Sequence, residues 1–113
     1  MAKDSSEVSC DTARTAFYVV LYPSLKKAAL DLGYALAVHG SMASDMDLIA
    51  VPWVEDAGSV EELVQAMSDC LGPTMWSEHH LTEKEIRPHN RVTYVLSIYS
   101  DWHIDLSIIQ PTK

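Results

Sequence analysis

Two short apolar runs separated by five residues constrain this chain more than any other feature of its sequence. Tyr34-Ala35-Leu36-Ala37-Val38-His39 ends at Gly40-Ser41, and after Met42-Ala43-Ser44 the run Asp45-Met46-Asp47-Leu48-Ile49-Ala50-Val51 begins, stopped by Pro52. Each run has the length of a strand and is closed by turn or breaker residues. A connection this short makes the second run double back, which predicts two adjacent antiparallel strands.

The flanking segments supply the rest of the fold. Ala13, Ala16, Phe17, Val20, Leu21, Leu25, Ala28, Ala29 and Leu32 step by three and four, the period of a helix running from Asp11 to about Leu32. Pro23 interrupts the run without breaking its phase, so either one kinked helix or two collinear ones are expected, with Gly33 as the stop. Ser59-Val60-Glu61-Glu62 reads as a capping box opening a second helix through Leu63, Val64, Met67, Cys70 and Leu71, with Gly72-Pro73 as its stop. A less regular extended segment from Met75 to Arg87 meets the turn Pro88-His89-Asn90, and two strands follow, Arg91–Tyr99 and Trp102–Ile109. Residues 1–10, rich in Ser and charge, read as a disordered lead, and 11–113 as one domain. The order predicts an α+β domain: a mixed, mostly antiparallel sheet with helices packed on one face.

Charge narrows the function. Eight Lys and Arg against 16 Asp and Glu give a net charge of −8 and a pI near 4.8 over 113 residues. Duplex DNA is bound largely through basic side chains that neutralise phosphates, so double-stranded DNA binding is not expected. Cys10 and Cys70 lie in no disulfide or zinc spacing, which favours a reducing, cytoplasmic setting. No stretch reaches the roughly 18 apolar residues of a membrane span, and the first residues do not read as a signal peptide.

The acids that stand out sit inside apolar strands. Asp45 and Asp47, two residues apart, project from one strand face while Met46 and Leu48 take the other. In the last strand Trp102, Ile104, Leu106 and Ile108 form an apolar face, and His103, Asp105 and Ser107 the opposite one. Crowded carboxylates in an apolar segment need a compensating cation or hydrogen bonds to stay ionised. Hard oxygen ligands with open positions left over are what a magnesium phosphoryl-transfer site uses. An Asp-x-Asp also occurs in ordinary turns, where the side chains cap backbone N–H groups.

Gly40-Ser41, then Ser44-Asp45-Met46-Asp47-Leu48-Ile49, then Ile104-Asp105-Leu106 together resemble the signature of the polymerase-beta-type nucleotidyltransferase superfamily. The likeness runs from about Pro23 to Ile109, in particular to the minimal stand-alone nucleotidyltransferases and similar small phage-encoded proteins. It implies that Gly40, Ser41 and Ser44 contact nucleotide phosphates. It also implies that Asp45 and Asp47 hold Mg2+, or Mn2+ in its place, and that Asp105 completes the catalytic metal site and favours deprotonation of the acceptor hydroxyl. The implied reaction moves a nucleotidyl group from an NTP to a hydroxyl of an unidentified acceptor, whether RNA, protein or small molecule. His39 stands before the glycine, where the family usually carries an apolar residue, and only Met42, Ala43 and Ser44 separate Ser41 from Asp45. Arg87 and Arg91, beside the Pro88 turn, are the cations that sequence order offers for a triphosphate.

A second reading keeps the fold without catalysis, as a nucleotide- or protein-binding module that is antitoxin-like or captures a host factor. A two-metal nuclease is a third. His79 and His80 would point to opposite faces of a strand and read as solvated surface, and His89 as a turn residue. His103 is placed to stand behind Asp105, and Trp53 either stacks on a base or packs at the rim. Glu61 and Glu62 are explained by helix capping.

Overall fold

The structure is a computed structural model and describes residues 5–40, 42, 45–75, 85–98 and 102–112. In chain order it comprises α1 (Ser5–Asp31), β1 (Tyr34–His39), β2 (Asp45–Pro52), α2 (Val60–Met75), β3 (Glu85–Arg87), β4 (Arg91–Ile98) and β5 (Trp102–Ile109). The strands form one sheet in the order β1-β2-β5-β4-β3. The β2–β5 pair is parallel and the other three are antiparallel. The architecture is α+β, as the order of elements predicts.

One face of every long strand is apolar and covered. Tyr34, Leu36, Met46, Leu48, Ala50, Val92, Leu96, Ile104, Leu106 and Ile108 join Tyr18, Leu21, Leu25 and Ala29 of α1 and Leu63, Val64, Met67 and Leu71 of α2 in a single buried cluster. Both helices therefore pack on the same side of the sheet. The other side carries Asp45, Asp47, Ile49, Ser97, His103, Asp105 and Ser107, all half-buried. Burying large side chains of this kind contributes roughly 1.5–3 kcal/mol each, so the covered face fixes which way every strand is turned.

Two helix expectations are revised, and the reading at Pro23 narrows to one helix. α1 begins at Ser5, so residues 5–10 continue the helix, while 1–4 lie outside the described residues. Ser5, Ser6 and Glu7 are residues that favour a helix start. The helix also runs unbroken through Pro23, with Tyr18, Leu21, Leu25 and Ala29 inward and Val20 77% exposed. Apolar residues lie on all sides of α1, Val19 and Val20 included, so periodicity alone cannot phase it. α2 passes Gly72-Pro73 and ends at Met75. A proline in a last turn removes one hydrogen bond without preventing the turn from closing. Its N-terminus is as expected: the Ser59 amide donates to Glu62 Oε1 at 3.0 Å, and the Glu62 amide to Ser59 Oγ at 3.1 Å.

β1 and β5 have the predicted bounds, β2 extends one residue further, to Pro52, and β4 ends at Ile98. The extended segment expected over Met75–Arg87 is described only at its ends, where Met75 is helical and Glu85–Arg87 is β3. The Pro88 turn leads into β4 with His89 and Asn90 both at positive φ. His79 and His80 lie outside the described residues.

Candidate functional site

The register of the parallel pair assembles the site. Asp47 of β2 is the partner of Asp105 of β5, and Asp45 that of His103, so all four side chains leave the sheet face opposite the helices. The antiparallel pair extends the row, with His39 at the end of β1 opposite Asp47. Neighbouring side chains across a sheet have Cβ atoms about 5 Å apart, which puts His39, Asp47 and Asp105 in one line. Asp45 and His103 form the next line, with His103 Nδ1 3.7 Å from Asp45 Oδ1.

The three acids predicted from sequence are therefore brought together. Burial, the neighbouring Asp45 carboxylate, and a hydrogen bond and charge from Asp47 push the Asp105 carboxyl up to about 6, against a partial opposing effect of His103. In its protonated form Asp105 donates to Asp47, and above that pH like charges crowd the row. Among the described residues no three His, Cys, Asp or Glu side chains are grouped so as to hold a metal ion. The acids share a face and a neighbourhood without forming a closed coordination shell.

Gly40 is fitted to Asp47. It has φ +79°, and a Cβ built on it would stand 3.0 Å from Asp47 Oδ2, so only glycine lets the carboxylate lie against the end of β1. Ser41 and Ser44, the other two residues expected at the phosphates, lie outside the described residues. Met42 is described: it packs against the core, and its carbonyl accepts a 3.1 Å hydrogen bond from Thr15 Oγ1, tying the β1–β2 connection to α1.

α1 also holds the start of β5. The buried Tyr18 hydroxyl donates to the His103 carbonyl at 3.3 Å and accepts from the His103 amide at 3.2 Å. Phe17 and Tyr18 pack on Trp102 with ring centroids 5.4 and 6.3 Å away. Burial raises the Tyr18 hydroxyl pKa, Asp45 and Asp105 add to the rise, and Arg14 opposes it. Tyr18→Phe should cost about 1–2 kcal/mol in thermal or urea unfolding, since two part-buried backbone groups lose a partner.

Arg14 is a charge near Tyr18 to which sequence reasoning assigned no part. One helical turn before Tyr18, it brings positive charge to the acidic end of the sheet, and nothing in its spacing separates it from a solvated helix charge. Arg87 and Arg91 are at the other end. Arg91 pairs with Ile109, four residues beyond Asp105 and about 13 Å along the strand, and Arg87 pairs with Arg91. Trp53 is 77% exposed, and its position just past β2 is about 20 Å along the strand direction from Asp47. It is therefore a rim residue with no reach to a base held at the acids. His103 shares the Asp105 face as expected, and contacts Asp45 across the strand pair.

No family model matches the chain, and neither does any curated protein. Among solved structures it is similar to the polymerase core of TRAMP, an RNA surveillance complex. The TM-score is 0.47 and the identity 17%, over 94% of this chain and 32% of that one. A likeness of that size speaks to neither substrate nor reaction. Among the described residues no helix is long and apolar enough to cross a membrane.

Proposed function

We infer that the chain is a nucleotidyltransferase-like protein, binding an NTP with a divalent cation, taken as Mg2+, and passing the nucleotidyl group to an acceptor hydroxyl. The observation that carries this reading is the pairing of Asp47 with Asp105 on adjacent parallel strands, with Asp45 on the same face and Gly40 opening space beside Asp47. The three carboxylates share a face without being grouped to hold an ion, and what supports the reading is that a bound dication would relieve their mutual repulsion. Asp45 and Asp47 would hold it, with Asp105 completing the set. When bound, the ion would supply charge neutralisation for the phosphates and for the leaving pyrophosphate.

The chain's own residues would do the rest. Asp105 would take the acceptor's hydroxyl proton. The hydroxyl oxygen forms a bond to the α-phosphorus, the bond from that phosphorus to the bridging oxygen breaks, and pyrophosphate leaves with the electron pair. Gly40 would let a phosphate oxygen approach the end of β1, Ser41 and Ser44 would donate to the phosphates, and Arg14 would add positive charge from α1.

Isothermal titration of Mg2+ with each NTP tests the reading. The wild type should bind at least one Mg2+–NTP pair, and an Asp45→Asn, Asp47→Asn, Asp105→Asn triple variant that keeps its circular dichroism should not. Equal binding by both proteins would overturn it. The absence of a grouped metal-holding set among the described residues favours a second reading, a binding module on the same fold without catalysis. That reading expects the triple variant to retain ligand or partner capture without metal.

A further inference from the structure

An apolar patch stands at the end of the sheet away from the acids. Trp53 is 77% exposed and Val51 37%. The Trp53 amide donates to the Gly33 carbonyl at 2.7 Å, which carries the β1–β2 ladder one pair past Tyr34 and Pro52. Strand alternation therefore puts Trp53 beside Val51 on the face opposite the helices. Ile109 and Pro111, at the end of β5, come next to them across the parallel pair, and Arg91 is the β4 partner of Ile109. Two hydrogen bonds between Gln110 and Asn90, at 3.0 and 2.8 Å, hold this end of the chain against the start of β4. A tryptophan presented on a hydrogen-bonded frame buries a large area on contact at a small cost in conformational freedom.

We propose that this patch is the contact between two copies of the chain, related by a two-fold axis near Pro111. Such a contact needs a surface complementary to itself. Arg91 lies on one side of Pro111, on β4, and Glu55 on the other, where it lines a cavity together with Pro111. The Arg91 Nε is buried without a hydrogen-bond partner among the described residues, and Glu55 is exposed. The axis sets the guanidinium of each copy against Glu55 and Trp53 of its mate, an ion pair and a cation–π contact made twice. Elsewhere a copy is repelled: the net charge is −8, and at the other end of this face a two-fold contact would set Asp45, Asp47 and Asp105 against the same three acids. Trp53 brings about 150–200 Å2 of the roughly 500 Å2 per copy that a small specific interface buries, and its apolar and charged neighbours bring the remainder. That area predicts a weak dimer, half-dissociated at a concentration on the order of micromolar. The acids lie about 20 Å along the strands from Trp53 and take no part, so the inference does not rest on the proposed reaction.

Sedimentation equilibrium of the full chain between about 1 and 500 μM reads the association. The average mass should rise with concentration from 12.6 kDa towards twice that value. Trp53→Ser should weaken the dimer at least about twentyfold and leave the circular dichroism unchanged, because the side chain it removes is exposed. Arg91→Glu and Glu55→Arg should each weaken it about fivefold or more, since like charges then face one another, and the double exchange should return it to within about twofold of wild type. A chain that stays monomeric throughout overturns the proposal and leaves the patch to a different protein. A dimer that survives Trp53→Ser, or one that a folded double exchange fails to restore, overturns it as well. The wild type and the Trp53 variant decide even where a charge variant does not fold.

Discussion

Asp105→Asn should raise the melting temperature of the metal-free protein at pH 7 and leave it almost unchanged at pH 4. Burial and the Asp45 and Asp47 carboxylates lift the Asp105 carboxyl from its ordinary 3.8 to about 6 in the folded chain. A carboxyl raised on folding binds its proton more tightly in the native state than in the unfolded one. Its stabilising contribution is then fully present below about pH 4 and is lost as pH rises through about 6. At pH 7 the wild type carries a crowded, ionised row. The Asn variant carries a neutral amide that can still donate to Asp47. Asp105 is only half-buried, and screening by solvent reduces the gain to about 1 kcal/mol, a rise on the order of 4 °C for a chain of this size. Scanning calorimetry at the two pH values checks it, and an equal shift at pH 4 and pH 7 would remove charge crowding as the cause. On the proposed function, added Mg2+ should then raise the melting temperature of the wild type and not of the variant, because the carboxylate that destabilises the metal-free protein would be a ligand of the ion.

Much of this geometry is legible in the sequence, and the boundary between what is and what is not has a physical origin. Strand period and a five-residue gap determine β1, β2 and their antiparallel pairing, because both are local properties of the chain. The alternation in β5 likewise separates Ile104, Leu106 and Ile108 from His103, Asp105 and Ser107, and the structure buries the first set. The parallel register that sets Asp47 beside Asp105 is not local. It joins segments nearly sixty residues apart, and depends on α2 and the β3–β4 hairpin returning the chain to the edge of β2. The resemblance to a nucleotidyltransferase signature brings the same three acids together only by analogy. Arg14 escapes notice for the same reason: a helix charge acquires a role only from what α1 is laid against. The α1 face is legible only in part: Leu21, Leu25 and Ala29 turn inward as the period predicts, while Val20 is exposed and Tyr18 is buried, because Val19 and Val20 are as apolar as the residues that turn inward.

Gly40→Ala should separate the site from the fold. Two glycines of the chain hold positive φ, Gly33 at +86° and Gly40 at +79°, and alanine at either costs about 1–2 kcal/mol from backbone conformation alone. Their surroundings differ. At Gly33, which closes α1, a new Cβ would lie 2.5 Å from Val54 Cγ2 and 3.1 Å from the Ala57 backbone, so the connection between β2 and α2 must move. At Gly40 the nearest atoms among the described residues belong to Asp47, with Oδ2 at 3.0 Å, and the added methyl is accommodated by pushing that carboxylate away from the end of β1. Gly33→Ala should therefore be the more destabilising of the two in urea unfolding, yet leave cation binding near wild type, because Gly33 lies at the end of the sheet away from the acids. Gly40→Ala should lose less stability and at least about tenfold in Mg2+–NTP affinity, since a ligand displaced by even a fraction of an ångström weakens a shell of hard oxygens. Titration calorimetry on both variants reads the contrast. Binding that tracks stability in both would mean that Asp47 needs no particular position, and would remove the cradle at Gly40 from the account of the site.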